Sequence, residues 1–306
     1  MVFPPNKSIK LCLLALLLTF ILAFTACVGG VIKPPYRWDE DENTSEQSVI
    51  SREEAKDTLT VHFLDVGQAD AALVTCGNEA MLIDGGNVGD SSLLFRYLTK
   101  NGITKLDYVI ATHAHEDHVG GLAGALNAAA AQTVYCPVTE YDSKAFDSFK
   151  RYVEKTGASI EVPSAGNSFS LGTATVQILA CNAGKDTNNT SIVLRIIHGD
   201  NSFLFTGDAE REAEAAILEA GYDISSTVLK VGHHGSETST SYPFLREVMP
   251  SLAIISVGEG NSYGHPDDVV LSRLRDAEAT VYRTDTHGTV VVESNGKDLR
   301  VSFPDK

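Results

Sequence analysis

Basic residues are scarce in this 306-residue sequence. Twenty-four Lys and Arg face 40 Asp and Glu, and the net charge is −16. From Thr58 onward the balance is 18 against 32. Such a chain repels polyanions and anionic surfaces at long range, which argues against tight binding of long DNA by a broad basic face. Cysteine is sparse too, with five in all and no Cys-x-x-Cys pair. That excludes a zinc ribbon and a disulfide framework. Cys76, Cys136 and Cys181 are expected to be buried and inert. There is no G-x-S-x-G elbow and no phosphate-binding P-loop, so serine-hydrolase and nucleotide-motor chemistries lack their motifs.

The N-terminus, by contrast, carries a targeting pattern. Lys7 and Lys10 precede an apolar run from Leu11 to Ala26. It is shorter than the roughly 20 residues of a bilayer span and suits a signal peptide. It ends at Phe24-Thr25-Ala26-Cys27, which resembles a bacterial lipobox, although Phe24 stands where Leu is usual. Residues 1–27 are therefore expected to be a signal peptide, with Cys27 the lipidated membrane anchor of an extracytoplasmic lipoprotein. An uncleaved N-terminal anchor is the alternative. Residues 28–57 hold a proline pair, Trp38 and an acidic run, and read as a flexible tether.

A single α/β domain is expected over residues 58–306. Alternating β-branched runs begin at "TLTVHFLDV", and helical periods include "SSLLFRYLTKNG" and "EREAEAAILEAG". Two β-then-α halves predict two face-to-face sheets with helices outside both. Asp285 and Gly288 are read as shaping a hairpin. Polar residues gather where apolar strands end, at "IATHAHEDH", "FLFTGD", "VLKVGHH" and "ISVGEGNSYGH". Ligand sites of layered α/β folds assemble at such strand exits.

Imidazole and carboxylate in this density point to divalent metal. His113 and His115 lie on one side of an extended loop, and Asp117 and His118 follow a bend. One loop can thus give two ligands to each of two ions, and Asp208, from another strand, can bridge them. Two ions about 3.5–4 Å apart can hold a hydroxide as nucleophile. Each ion needs a further ligand, and His233, His234 and His265 are the candidates at strand exits. His198 sits in a hairpin turn and His62 inside a strand, and both are read as structural.

The run His113-Ala-His115-Glu-Asp117-His118 resembles the HxHxDH signature of the metallo-β-lactamase fold superfamily. Asp84 in "LIDGG" and Asp208 in "FTGD" resemble its first and fourth motifs. The resemblance implies a four-layer αββα sandwich. "FLDVGQADAALV", "NNTSIVLRI", "LKVGHHGSETSTS" and "NSYGHP" narrow it to the hydrolase-like domain of ComEC-type competence proteins, which are DNA-uptake channels. It implies two zinc or manganese ions. His113, His115 and either His233 or His234, with His234 favoured, would hold the first ion. Asp117, His118 and His265 would hold the second, and Asp208 would bridge. Asp117, Asp208 and His234 would be catalytic. Asp84 would fix a ligand histidine or serve as a turn residue, and Asn188, Asn189, Ser236 and Thr238 would either contact phosphate or stabilise their loops by hydrogen bonds. Asp65, Gln68 and Asp70 are read as either near the cleft or part of a turn.

Three departures stand out. Ala69 replaces a usual Gly, Asn189 stands in the region of the usual third-motif histidine, and the channel itself is absent. The expected function is a tethered dinuclear phosphodiesterase or nuclease, acting on a phosphodiester such as single-stranded DNA beside a membrane channel. Alternatives are hydrolysis of a phosphocholine-type ester, lactone or β-lactam, and a non-catalytic competence accessory.

Overall fold

The computed structural model describes residues 58–304. The expected signal peptide, the Cys27 anchor and the tether lie outside the described residues.

The first sheet begins with β1 (Leu59–Phe63), whose Leu59, Val61 and Phe63 point inward. This is the period-2 pattern of a strand with one face in a core. It pairs with β2 (Ala72–Cys76), which turns back into β3 (Glu79–Ile83). Helix α1 (Ser91–Lys100) buries Leu94 and Leu98. Then β4 (Lys105–Ile110), β5 (Ala130–Tyr135) and β6 (Ile160–Glu161) add in parallel. They are linked through α2 (Glu116–Val119), α3 (Leu122–Ala128) and α4 (Lys144–Lys155).

The second sheet opens antiparallel, with β7 (Ser168–Leu171), β8 (Ala174–Ala180), β9 (Val193–His198) and β10 (Asn201–Phe205). It continues in parallel through β11 (Val228–Lys230), β12 (Leu252–Ile255) and β13 (Thr280–Arg283). Helices α5 (Arg211–Ala220), α6 (Tyr242–Val248) and α7 (Asp268–Asp276) connect these strands.

Asp285 and Gly288 do not shape a hairpin. A short helix, α8 (Thr284–His287), carries the chain from the second sheet back to the first. There β14 (Val290–Ser294) and β15 (Leu299–Ser302) complete the order β15-β14-β1-β2-β3-β4-β5-β6. Strand β1 therefore lies between β2 and the late-arriving β14.

Three apolar layers confirm the four-layer α/β sandwich. Leu59, Phe63, Phe203 and Phe205 belong to the layer between the sheets, where Phe63 stacks on Phe205 at 5.6 Å. A second layer joins the first sheet to α1, α3 and α4, and a third joins the second sheet to α5, α6 and α7. Emptying a buried phenylalanine site such as Phe203 costs about 3–5 kcal/mol, so the sheets form a stiff base for the loops at their rim.

Candidate metal centre

Loops from both sheets meet at one end of the sandwich. They line a cleft of about 330 Å³ with Gln68, His115, Glu116, Asp117, Asn188, Asp208, His233, His234, Tyr263 and His265. The residues at strand exits thus come together, as expected of a layered α/β fold.

The loop after β4 forms the first side of the cleft. Asp84 anchors it from the end of β3. Its carboxylate accepts from Thr112 N and Thr112 Oγ1, both at 2.7 Å, and lies 2.8 Å from His118 Nδ1. Asp84 has φ +59°, a left-handed conformation that Asp tolerates better than most residues. The two Gly pairs beside this loop allow close approach. A Cβ on Gly121 would lie 2.1 Å from Gly85 O, and Gly85 N donates to His118 O at 2.7 Å. His118 is thereby fixed with Nε2 turned to Asp208 Oδ1 at 3.3 Å. His113 and His115 follow, with His113 Nε2 3.0 Å from His115 Nδ1 and 3.8 Å from Asp208 Oδ2.

The second side comes from β10, β11 and β12. Asp208 follows β10, and its backbone N donates to Ser191 Oγ at 3.2 Å. His233 and His234 follow β11 in a tight turn with φ +48° and +53°. Two consecutive left-handed residues without glycine are costly and persist only where surroundings enforce them. They turn adjacent imidazoles to different neighbours. His234 Nδ1 lies 3.2 Å from Asp70 Oδ1 and 3.1 Å from Ser256 O, while Nε2 faces Asp117 Oδ2 at 3.3 Å. His233 Nδ1 lies 3.2 Å from Glu210 Oε1, while Nε2 faces Asp208 Oδ2 at 3.6 Å.

His234 Nε2 lies nearer to Asp117 Oδ2, at 3.3 Å, than to Asp208 Oδ2, at 3.8 Å. Ligand atoms of Asp117, His118, Asp208 and His234 lie within 4.8 Å of one another, which sets His234 beside residues expected to hold the second ion. His265 lines the same cleft, but its ring packs 5.8 Å from that of His233 and its Nε2 is nearest Asp267, at 3.9 Å. His233 and His234 both turn Nε2 toward Asp208 Oδ2, at 3.6 and 3.8 Å, the atom that His113 Nε2 also faces at 3.8 Å. The reason is the twisted turn, which defeats any simple alternation of neighbouring side chains.

Of its two expected roles, Asn189 takes the loop-stabilising one. Its Oδ1 accepts from the backbone of Glu210 and Ala213, and its Nδ2 donates to Asp186. The side chain is committed to the start of α5 and does not line the cleft. Ser236 bonds with Thr238 at 3.0 Å, and Thr238 Oγ1 donates to Glu210 at 3.0 Å, so both stabilise the His233 turn. Asn188 does line the cleft and donates to Glu210 at 3.1 Å. Gln68 reaches it as well. His198 lies 3.0 Å from Ser294 Oγ and His62 lies 2.8 Å from Tyr97 Oη, both in structural roles.

Sequence reasoning missed Lys230 and Glu210. Lys230 is buried with Nζ 2.7 Å from Asp70 Oδ2. A single lysine in the apolar stretch "STVLKVG" was the available signal, since buried charge demands a partner. Glu210 had no signal beyond its nearness to Asp208.

The electrostatics fit a cation. Burial opposes charge on His118, yet Asp208, Asp84 and Asp117 outweigh it and raise the imidazole well above its ordinary range. Burial opposes charge on His234 too, but Asp208 and Asp70 raise it to about 10. Burial would raise Asp117, but His118 and His234 hold it at about 2. Burial and His118 push His113 well below its usual value, leaving it neutral. Protons on His118 and His234 thus answer four converging carboxylates, Asp70, Asp84, Asp117 and Asp208. His118 Nε2, His234 Nε2 and Asp208 Oδ1 are buried without a directed hydrogen-bond partner. Such orphaned donor atoms around one point are what a divalent ion satisfies.

The fold and this rim are those of a known class. The profile of the Metallo-beta-lactamase superfamily matches residues 64–259, and the chain belongs to that superfamily. Its similarity extends to competence proteins. It is 32% identical over 250 residues to ComE operon protein 3 of Bacillus subtilis (strain 168), covering 75% of this chain and 32% of that protein. It is 29% identical to Competence protein ComA of Neisseria gonorrhoeae, covering 74% of this chain and 31% of that protein. It is 32% identical to Recombination protein 2 of Haemophilus influenzae, covering 80% and 30%. The chain thus spans about a third of the length of these relatives. Among solved structures, the metallo-beta-lactamase fold protein YhfI from Bacillus subtilis shares the fold, with a TM-score of 0.55 and 16% identity, covering 78% of this chain and all of that one.

Proposed function

We propose that the protein is a metal-dependent hydrolase of phosphodiester bonds, held outside the cytoplasmic membrane through Cys27 and acting on nucleic acid beside a membrane channel. The observation that carries this reading is the closed group of Asp117, His118, Asp208 and His234, with its buried, orphaned ligand atoms at the floor of a cleft that Asp117, Asp208 and His234 line. His113, His115 and His233 would complete a second site across Asp208. Two ions there, zinc or manganese, would supply Lewis acidity and water ionised near neutral pH.

The chain's own residues do the positioning. Asp84 and Thr112 fix His118, and Asp70 with Ser256 O fixes His234. Glu210 and Thr238 fix His233. Supports of this kind set ligand tautomer and orientation. His265 lies outside the closed group on the same cleft, and its pKa is lowered by burial and by His233.

The names of the competence relatives support a nucleic-acid substrate. The cleft lining contains no Lys or Arg, and this favours a short strand or a strand end over long duplex.

The test is metal content by mass spectrometry on the full chain, with hydrolysis of bis-p-nitrophenyl phosphate and single-stranded DNA in the same preparation. Two ions per chain with metal-dependent cleavage of both supports the reading. Two ions without phosphodiester cleavage redirects it to lactone, lactam or other ester substrates. Absence of metal after reconstitution ends it.

A further inference from the structure

Tyr263 is the most exposed large apolar side chain among the described residues, at 71%. An aromatic ring gains by being covered, and this one stands at the mouth of the candidate metal cleft. Its ring stacks on that of His265, with centroids 5.7 Å apart and planes 25° apart. The His265 ring lies 5.8 Å from His233. A stepped row of rings thus runs from solvent to the edge of the ligand cluster.

The ring is presented on a fixed support. The loop after β12 is gathered around the amide of Asn261. Its Nδ2 donates to Gly258 O at 3.0 Å and to His265 O at 2.6 Å. Its Oδ1 accepts from Tyr263 N and His265 N, both at 3.1 Å. Gly258 N donates to Gln68 Oε1 at 3.1 Å, and a Cβ at Gly258 would stand 2.6 Å from Gln68 N. The loop is therefore clamped onto the opposite side of the cleft. Little conformational freedom remains to be lost when a planar ligand covers Tyr263.

We infer that Tyr263, backed by His265, is a stacking platform for an unpaired nucleobase of the substrate strand. This rests on the phosphodiesterase reading and names its substrate class as single-stranded nucleic acid engaged through a base. The cleft lining holds no Lys or Arg with which to grip a phosphate backbone. Stacking is a source of affinity that every base can supply, and is worth about 1–3 kcal/mol per base. A base inside a duplex is stacked on both faces, so the interior of a duplex is excluded from this seat.

The experiment measures affinity by calorimetry on the full, metal-replete chain. The probes are a thymidine hexamer with hydrolysis-resistant phosphorothioate linkages and the same backbone with abasic sites. Wild type and Tyr263→Phe should bind the base-bearing strand at least about 5-fold more tightly than the abasic one, the low end of the stacking range. Tyr263→Ala and Tyr263→Leu should lose that preference. Equal affinity of wild type for the two strands, no measurable affinity for either, or an undiminished preference in Tyr263→Ala overturns the inference. Hydrolysis of bis-p-nitrophenyl phosphate by wild type is followed separately. A base preference that depends on Tyr263 without such hydrolysis retains the platform and removes the hydrolase reading. Hydrolysis without base preference does the reverse.

Discussion

The two sides of the cleft are built on opposite plans. The first draws His113, His115, Asp117 and His118 from one short loop, and Asp84 holds that loop at several points. The second draws Asp208, His233, His234 and His265 from three strand exits, each with its own support. Glu210 steadies His233, Asp70 with Lys230 steadies His234, and Glu214 accepts from Thr240 N and Ser241 N beyond the turn. Contiguity lets one carboxylate organise a whole ligand set. Dispersal requires several buried ion pairs, and it places strained backbone at His233 and His234.

The largest expected effect lies where the two plans meet. Asp208 faces His113 and His118 from one side and His233 and His234 from the other. Asp208→Ala should lower turnover by on the order of 10²–10³-fold or more, the scale of losing one charge-stabilising group. Circular dichroism should show the fold retained. Unfolding of that variant would mark the centre as structural.

Next is the second side's hidden pair. Lys230→Met should destabilise the protein by about 3–5 kcal/mol in urea titration, because it strands the Asp70 carboxylate in the core. Adding Asp70→Asn should restore part of that loss. A harmless single variant would show that Lys230 is not needed there. On the first side, Asp84→Asn should weaken metal affinity by about 10–100-fold, read by competition with a chromogenic chelator. An equal effect of Glu210→Gln would erase the contrast between one shared anchor and several private ones.

The smallest effect is in pH. Burial raises the Glu214 carboxyl above its ordinary value despite bonds from Ser241 and Thr240. The folded state therefore keeps this proton to higher pH than the unfolded chain. Its contribution to stability is fully present below about pH 4.3 and declines as pH rises through the raised folded value. Glu214→Gln should remove that decline, so the melting-temperature gap between variant and wild type should change with pH above about 4.3. A constant gap would contradict the assignment.

Contiguity also governs what could be read beforehand. His113 to His118 announced themselves because one loop carries them all, and the strand exits followed from hydrophobic runs. The allocation of His233 and His234 was not legible, since it depends on two left-handed residues that no periodicity encodes. The sequence left Asn189 open between the cleft and its own loop, because a motif region does not say where an amide points; its Oδ1 accepts at the start of α5. The return of β14 and β15 to the first sheet was missed because strand pairing across the whole domain leaves no local trace.

That return has a consequence for the order of assembly. Strand β1 is the first element of the described chain, and one of its two neighbours is β14, nearly the last. Until β14 arrives, β1 has an open hydrogen-bonding edge, a setting prone to misplaced pairing. Closing so long a loop is slow. Strand β1 must therefore wait for the β14–β15 hairpin, and the ligand loops above the sheets gain a firm base only when that hairpin has docked.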